Sequence, residues 1–249
     1  MTASDTAYRA DSLSPPCHHS RTRRYIDDAT DVISSHEMTI EVKTDFDEFS
    51  AVCRRLAGQN KCQPITLFDP KTIDNDAFWI KGTTATGDIQ HVQAVRHLEL
   101  ADMTLTQYWK LHRQKFRPVA KNIDPSRSIF DDLPVTSNIT GSVAYHGEMF
   151  ISEQYRGSGL VLPLARMAKA TAFLRDPDYI IGFVEPKIAY CGIPLKYGYQ
   201  HVHPNAISWY QPDTDDYYTD WFLWNAASDM AHLINQPVSI EHPHILRPH

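Results

Sequence analysis

Hydrophobic positions from residue 38 onward either alternate or recur at helical spacing, and they predict an ordered series of strands and helices. The alternation in 38–43 predicts a half-buried strand, and the helical spacing in 46–56 predicts a helix that ends at Gly58. Two further apolar runs, 77–81 and 89–100, are joined by a short polar turn and predict a β-hairpin.

The second half of the chain continues this pattern. Residues 141–174 predict a strand, a turn that contains glycine, and a helix, and the short apolar run 179–184 predicts a buried strand. Alternation in 207–210 and 218–224 predicts a strand pair, and 226–235 predicts a final helix. This order of elements indicates an α/β (α+β) chain with one sheet of mixed strand directions.

The two ends of the chain lack such a pattern. Residues 1–37 are polar and show no sustained hydrophobic period, so we expect a loosely ordered N-terminal extension. Residues 38–235 are expected to form the folded domain. Residues 236–249 are expected to be a tail that contains proline and histidine.

A segment without a clear strand separates the hairpin from the strand that begins after residue 140. Within this insertion, residues 101–140, the pattern predicts a helix over 105–116 and a loop over 124–138. Long insertions in compact domains are often functional. A substrate lid and an extra packed helix are both open interpretations.

Composition narrows the class of protein. The 249 residues are 42% hydrophobic with a formal charge of −6, which allows a real core and provides no basic surface for nucleic acid. The four cysteines form no CxxC pair, and Cys17-His18-His19 has no second cluster at ligand spacing, so no metal is expected. No run approaches the roughly 18 apolar residues of a membrane-spanning helix. We therefore expect no membrane association and a cytoplasmic location.

The turn at residues 154–159, Gln-Tyr-Arg-Gly-Ser-Gly, is the strongest chemical signal. Glycines at 157 and 159 let the backbone approach a ligand, and the start of the following helix favours an anion such as phosphate. A P-loop requires a lysine after its last glycine, which is absent after Gly159. A dinucleotide fingerprint requires a small residue where the chain has Leu162.

The segment from Met149 to Leu160 resembles the acyl-coenzyme-A-binding motif of the GNAT superfamily of N-acyltransferases, whose core is Gln/Arg-x-x-Gly-x-Gly/Ala. A buried strand at 179–184 and the closing Tyr197-Gly198-Tyr199 follow at intervals similar to those of the family. The resemblance implies a GNAT-like, mixed, mostly antiparallel central sheet flanked by helices. The insertion would lie between its third and fourth strands.

The resemblance also implies a cofactor site for acetyl-CoA or another acyl-CoA, with no metal. The pantetheine arm would lie between the strand before the turn and the strand at 179–184, and its phosphates would lie on the turn. The residues implied in cofactor binding are Met149, Ile151, Gln154, Tyr155, Arg156, Gly157, Ser158, Gly159 and Leu160.

Acyl transfer to an amine requires a group that removes a proton. The candidate bases are Glu148, Tyr145 and Glu185. Tyr145 and Glu148 point to opposite faces of a regular strand, so only one faces the cleft unless a bulge intervenes. Pro194 occupies the position where the family usually has the tyrosine that protonates the thiolate. Tyr190, Cys191 or water are the alternatives for this role, and a reaction that needs no acid is also open. A packed core aromatic is the other interpretation of Tyr190.

Together these observations predict an N-acetyltransferase or N-acyltransferase. It would move an acyl group from acyl-CoA to the primary amine of a small metabolite or amino acid by direct attack. Two alternatives stay open: an enzyme that uses an acyl carrier protein as donor, and a non-catalytic regulatory module that binds CoA. A homodimer is compatible with either.

Overall fold

The computed structural model describes residues 15–57, 66–71, 73, 76–116, 122–131 and 133–238. Its strands are β1 Thr39–Lys43, β2 Ala77–Thr83, β3 Ile89–Glu99, β4 Asp124–Phe130, β5 Ser142–Ile151, β6 Tyr179–Val184, β7 His201–Gln211 and β8 Asp216–Ala226. Its α-helices are α1 Pro15–Ser34, α2 Phe46–Ala57, α3 Leu105–His112, α4 Val161–Phe173, α5 Pro186–Tyr190, α6 Ile193–Lys196 and α7 Ala227–Leu233. Short 3-10 helices cover Thr66–Phe68, Arg113–Phe116 and Glu153–Tyr155.

The strands form one sheet in the order β1-β2-β3-β5-β6-β8-β7-β4. Every neighbouring pair is antiparallel except β5 and β6, which are parallel. The predicted mixed, mostly antiparallel sheet flanked by helices is therefore confirmed. The one parallel pair is joined by α4, as a strand–helix–strand crossover requires.

Each face of the sheet is covered by its own apolar cluster, because successive strand residues point to opposite sides. Trp79 belongs to the cluster that includes Phe49 of α2 and Trp109 of α3. The next residue, Ile80, belongs to the cluster that includes residues of α1, α4 and α7. The central strands are consequently buried on both faces.

Local sequence explains several element boundaries. Thr104 and Gln107 form a capping box at the start of α3, in which the Thr104 amide donates to Gln107 Oε1 at 2.8 Å. Gly192 has a left-handed φ of 69° and separates α5 from α6. Each of these two short helices has a proline in its first turn.

The expected loosely ordered extension is wrong for residues 15–34, which form α1. Its buried positions Thr22, Tyr25, Ala29 and Ile33 recur every three or four residues. Thr22 and Tyr25 carry polar groups and Ala29 is small. The stripe of α1 that packs against α4 is therefore narrow and weakly hydrophobic. The Thr30 hydroxyl contacts Met167 Sδ of α4 at 3.7 Å.

The expected loop over 124–138 is wrong for its first half. Residues 124–130 form β4, an edge strand that pairs with β7 at Ile129 and Phe130. The register of the β4–β7 pairing shifts between Asp124 and Ile129. Because of this register shift and the nearby prolines, the sequence lacks the regular alternation that would predict β4. The predicted helix over 105–116 is present as α3 followed by a 3-10 turn.

Across the described residues, no helix combines the length and apolar character needed to cross a bilayer.

Docking of α1 can be tested by stability. Ile33 has no exposed surface, so Ile33→Ala should lower the free energy of unfolding by about 2–5 kcal/mol in chemical denaturation. Asp27→Ala, at an exposed position of the same helix, should change it by less than about 0.5 kcal/mol. Equal effects of the two substitutions would mean that α1 does not pack on the domain.

Candidate active site

The sheet parts between its two parallel strands. β5 and β6 are in register at Val143–Tyr179, Ala144–Ile180 and Tyr145–Ile181, and no later pair is in register although both strands continue. Beyond this point β5 stays paired with β3, and β6 stays paired with β8 as far as Val184. We call this opening the strand split.

A bulge in β5 lies at the mouth of the strand split. Gly147 pairs with Ala94 and Phe150 pairs with Val92, so three steps along β5 match two along β3. Glu148 occupies the extra position with a left-handed φ of 59°. Because of the bulge, Glu148 and Tyr145 line the same cavity, although their parity in a regular strand places them on opposite faces.

The cavity at the strand split has a volume of about 370 Å³. Its wall contains three carboxylates and several aromatic rings, and none of the described residues that line it is lysine or arginine. The charged and aromatic lining residues are Phe116, Tyr145, His146, Glu148, Phe183, Glu185, Tyr197, Tyr199, Trp209, Tyr218 and Asp220. The cavity therefore favours a ligand group that carries positive charge.

The Tyr199 hydroxyl lies where the two strands separate. It donates to the Ile181 carbonyl at 3.3 Å and lies 3.2 Å from His146 Nδ1. A Cβ atom on Gly182 would lie 2.8 Å from the Tyr199 hydroxyl oxygen and 2.8 Å from the His146 carbonyl oxygen. Glycine at 182 thus leaves the space in which this hydroxyl bridges β5 and β6.

A buried hydrogen-bonded chain continues from Tyr199 to α4. His146 Nε2 lies 2.9 Å from Gln93 Oε1, and Gln93 Nε2 donates to the Leu164 carbonyl at 2.8 Å. Because the Gln93 oxygen accepts, the neutral His146 ring carries its proton on Nε2. Burial lowers the pKa of His146 to about 3, so the ring is uncharged at neutral pH.

Lys169 of α4 lies beneath the same tyrosine. Its Nζ is 4.1 Å from the centroid of the Tyr199 ring, and the residue has no exposed surface. Burial, and secondarily the charge of Arg166, holds the pKa of Lys169 well below its usual range. Lys169 Nζ has no hydrogen-bond partner among the described residues.

A second group of polar side chains lies at the β8 side of the cavity. Asp220 is 8% exposed and accepts from Trp209 Nε1 at 2.9 Å. Burial, followed by the charges of Asp220 and Glu185, raises the pKa of the Tyr218 hydroxyl strongly. Glu185 also forms an ion pair of 2.7 Å with exposed Lys187.

The predicted anion-binding turn follows β5 directly. Gly157 and Gly159 have φ values of 82° and 89°, in the region that side chains other than glycine rarely adopt. The Ser158 hydroxyl donates to the Tyr155 carbonyl at 2.7 Å and accepts weakly from the Leu160 amide at 3.3 Å. Arg156 is half exposed and lies 3.7 Å from Glu153. The turn leads into α4, whose positive end lies beside it.

The structure brings most of the predicted site residues together. Tyr145, Glu148, Met149 and Glu185 line the cavity, and Ile151 precedes the turn that contains Gln154, Tyr155, Arg156, Gly157, Ser158, Gly159 and Leu160. Tyr190 is not among the cavity residues. It is 78% exposed and packs against Trp221, which also makes the core interpretation of its ring wrong.

Sequence reasoning missed five polar residues of the cavity, which are His146, Tyr197, Tyr199, Tyr218 and Asp220. The sequence contains one signal for these missed residues. A glycine inside an apolar strand, as at Gly182, often marks a close approach by another group. Tyr218 and Asp220 offered no comparable signal, because alternation in β8 does not reveal which face meets a cavity.

No family model matches the sequence, and no curated protein matches it. Solved structures of N-acyltransferases are similar in fold. A mutant of the spermidine N-acetyltransferase SpeG from Vibrio cholerae is 10% identical, with 78% of this chain and 96% of that chain covered and a TM-score of 0.45. A protein described as an acyl-CoA N-acyltransferase from Klebsiella pneumoniae is 15% identical, with 76% and 97% covered and a TM-score of 0.41.

A protein described as a phosphinothricin N-acetyltransferase is 13% identical, with 76% of this chain and 98% of that chain covered and a TM-score of 0.40. With TM-scores of 0.45, 0.41 and 0.40, these likenesses assign no activity to this chain. What this chain does is inferred below from its own cavity and turn.

Proposed function

We propose that this protein is an acyl-CoA-dependent N-acyltransferase that acts on a primary amine of a small molecule. The strand split carries the proposal, because it places exposed backbone edges of β5 and β6 directly before a glycine turn and the start of a helix. An extended cofactor arm needs main-chain partners, and its phosphates need amide donors. Both features occur here in consecutive stretches of chain.

In this proposal the pantetheine arm lies in the strand split, with Met149 and Ile151 offering main-chain groups. The pyrophosphate lies on the turn, where the Gly157 and Gly159 amides have no acceptor among the described residues. The Tyr155, Arg156, Ser158 and Leu160 amides donate within the turn at 3.0–3.3 Å. Arg156 is half exposed, with a long contact of 3.7 Å to Glu153 and a hydrogen bond of 3.3 Å from its Nε to the Ile151 carbonyl, so its guanidinium would exchange these two contacts for a phosphate. Acetyl-CoA and longer acyl-CoA donors are both compatible with this arrangement.

We assign the role of general base to Glu148. The bulge points this carboxylate into the cavity beside the strand split. Burial raises the pKa of Tyr145 well above its ordinary value, so its hydroxyl stays protonated at neutral pH and is poorly suited to accept a proton. Glu185 also lines the cavity, with its carboxylate 2.7 Å from Lys187 Nζ, and is the second candidate for the base.

We assign to Tyr199 the role of hydrogen-bond donor to the departing thiolate. Its hydroxyl lies at the strand split, whereas Tyr190 is exposed outside the cavity and Pro194 has no proton to give. Burial raises the pKa of Tyr199, so the hydroxyl stays protonated and stabilises the thiolate by donating a hydrogen bond, not by giving up its proton. No covalent intermediate is required, because the amine attacks the thioester directly. The carboxylates of the cavity wall favour an amine that arrives as a cation.

The cofactor assignment can be tested at the turn. Gly157→Val should abolish binding of acetyl-CoA in calorimetry, because a β-branched residue resists φ near 82° and fills the space that the phosphates need. Gly87→Val is the matched control. Gly87 has φ of 83°, has no heavy atom near its virtual Cβ, and lies in the β2–β3 turn.

The Gly87→Val variant should lose a similar amount of stability but keep its affinity for acetyl-CoA. If Gly157→Val binds acetyl-CoA as well as the unmodified protein does, the phosphates do not lie on this turn and the cofactor assignment is wrong.

The base assignment can be tested by comparing Glu148→Gln with Tyr145→Phe in acetyl transfer to an amine panel. Loss of a general base costs about 10²–10⁴-fold in rate. We expect this loss, together with loss of the acidic limb of the pH–rate profile, in Glu148→Gln alone. Tyr145→Phe should change the rate by less than about tenfold.

Glu37→Gln is a matched control, because Glu37 is an exposed glutamate with the same left-handed φ of 59°. It should leave the rate unchanged. A Glu148→Gln variant that keeps its rate and its pH profile would remove Glu148 from the mechanism, and Glu185 would be the next base to test.

A further inference from the structure

Two adjacent histidines near the start of α1 are not used by the proposed reaction. The sequence provides no second cluster of ligands for His18 and His19 at metal-binding spacing. The fold provides one. Asp176, which follows α4 and lies more than 150 positions away in the chain, contacts both rings.

The geometry brings three donor atoms to one point. His19 Nε2 lies 3.1 Å from both carboxylate oxygens of Asp176, and His18 Nδ1 lies 3.9 Å from Oδ1. One ligand atom from each residue lies within 4.8 Å of the other two. The His18 ring is held edge-on against Phe173 of α4, with centroids 3.9 Å apart. One of the three ligands is therefore already fixed by packing.

We propose that His18, His19 and Asp176 bind one divalent transition-metal ion of the Zn²⁺ type, with water completing its coordination. Two imidazoles and a carboxylate form a donor set that suits such ions. A tetrahedral site with bonds of about 2.0–2.1 Å separates its ligand atoms by about 3.3 Å. In the present cluster the ligand atoms lie within 4.8 Å of one another, and Asp176, whose side chain is 66% exposed, has room to rotate as they close to that size.

The metal would join two segments that are distant in sequence. It would tie the first turns of α1 to the end of α4, whose opposite end begins at the glycine turn. Its role would be structural, because the cluster is not part of the cavity lining at the strand split. The proposal does not depend on the assigned acyl transfer.

A plain ion pair between His19 and Asp176 accounts for part of this arrangement. Such a pair needs only one histidine and holds no metal. The two explanations differ in a direct binding experiment, because a metal site requires all three ligands and yields a stoichiometry of one.

The experiment uses the full chain without an affinity tag. Other candidate ligands are removed in the background variant, in which Cys17 is replaced by Ser and the tail histidines His242, His244 and His249 by Asn. Zn²⁺ binding is measured by calorimetry, and Co²⁺ binding by its visible absorption. The test variants are Asp176→Asn and His19→Gln. The control is His36→Gln, which removes an exposed histidine just beyond the other end of α1.

We expect one Zn²⁺ per chain, a rise in melting temperature with added Zn²⁺, and an intense tetrahedral Co²⁺ spectrum. Each test variant should weaken Zn²⁺ binding at least about tenfold, and His36→Gln should not. Absence of a saturable site in the background variant would overturn the proposal. An Asp176→Asn variant that binds Zn²⁺ with unchanged affinity would overturn it as well. Melting curves of the metal-free variants serve as the control that each variant is folded.

Discussion

The architecture of this protein depends on the parting of two parallel strands. β5 and β6 can separate because each keeps a ladder on its other side, β5 with β3 and β6 with β8. The main-chain groups along the inner edges are therefore available to a ligand without unfolding any strand. A site of this kind places few demands on side-chain identity.

The strand split needs a fixed geometry, and buried polar groups maintain it. Hydrogen bonds link the Leu164 carbonyl in the first turn of α4 to Gln93 and His146, and the single proton of the Tyr199 hydroxyl lies between His146 Nδ1 and the Ile181 carbonyl of β6. Removal of the Gln93, His146 or Tyr199 side chain would leave a buried polar neighbour unsatisfied, at a cost of about 1–3 kcal/mol. The same groups therefore stabilise the core and hold the Tyr199 hydroxyl in place, so stability and chemistry at this site are not separable by a single substitution.

The sequence was sufficient for elements with strong periodicity and for the glycine turn, since both signals are local. The hairpin β2–β3, the helix α2 and the strands around residues 141–184 agree with the structure. What it did not reveal depends on contacts between distant segments. The bulge at Glu148 arises from register against β3, the role of Tyr199 requires Gly182 opposite, and α1 shows too narrow an apolar stripe to be recognised without the helix on which it packs. The prediction for Tyr190 rested on its spacing within a short helix. In such a helix, a shift of one residue turns a side chain from the cavity to the solvent.

The burial of α4 on nearly every side has a practical consequence for dissecting this protein. Its residues Leu164, Met167 and Ala168 are almost wholly covered, and α1 supplies one of the covering layers. A chain shortened to begin near residue 38, where the hydrophobic pattern becomes regular, would therefore leave an apolar helix face in water. Such a fragment would self-associate, and its failure to behave as a soluble domain would reveal nothing about whether the remaining residues bind a cofactor.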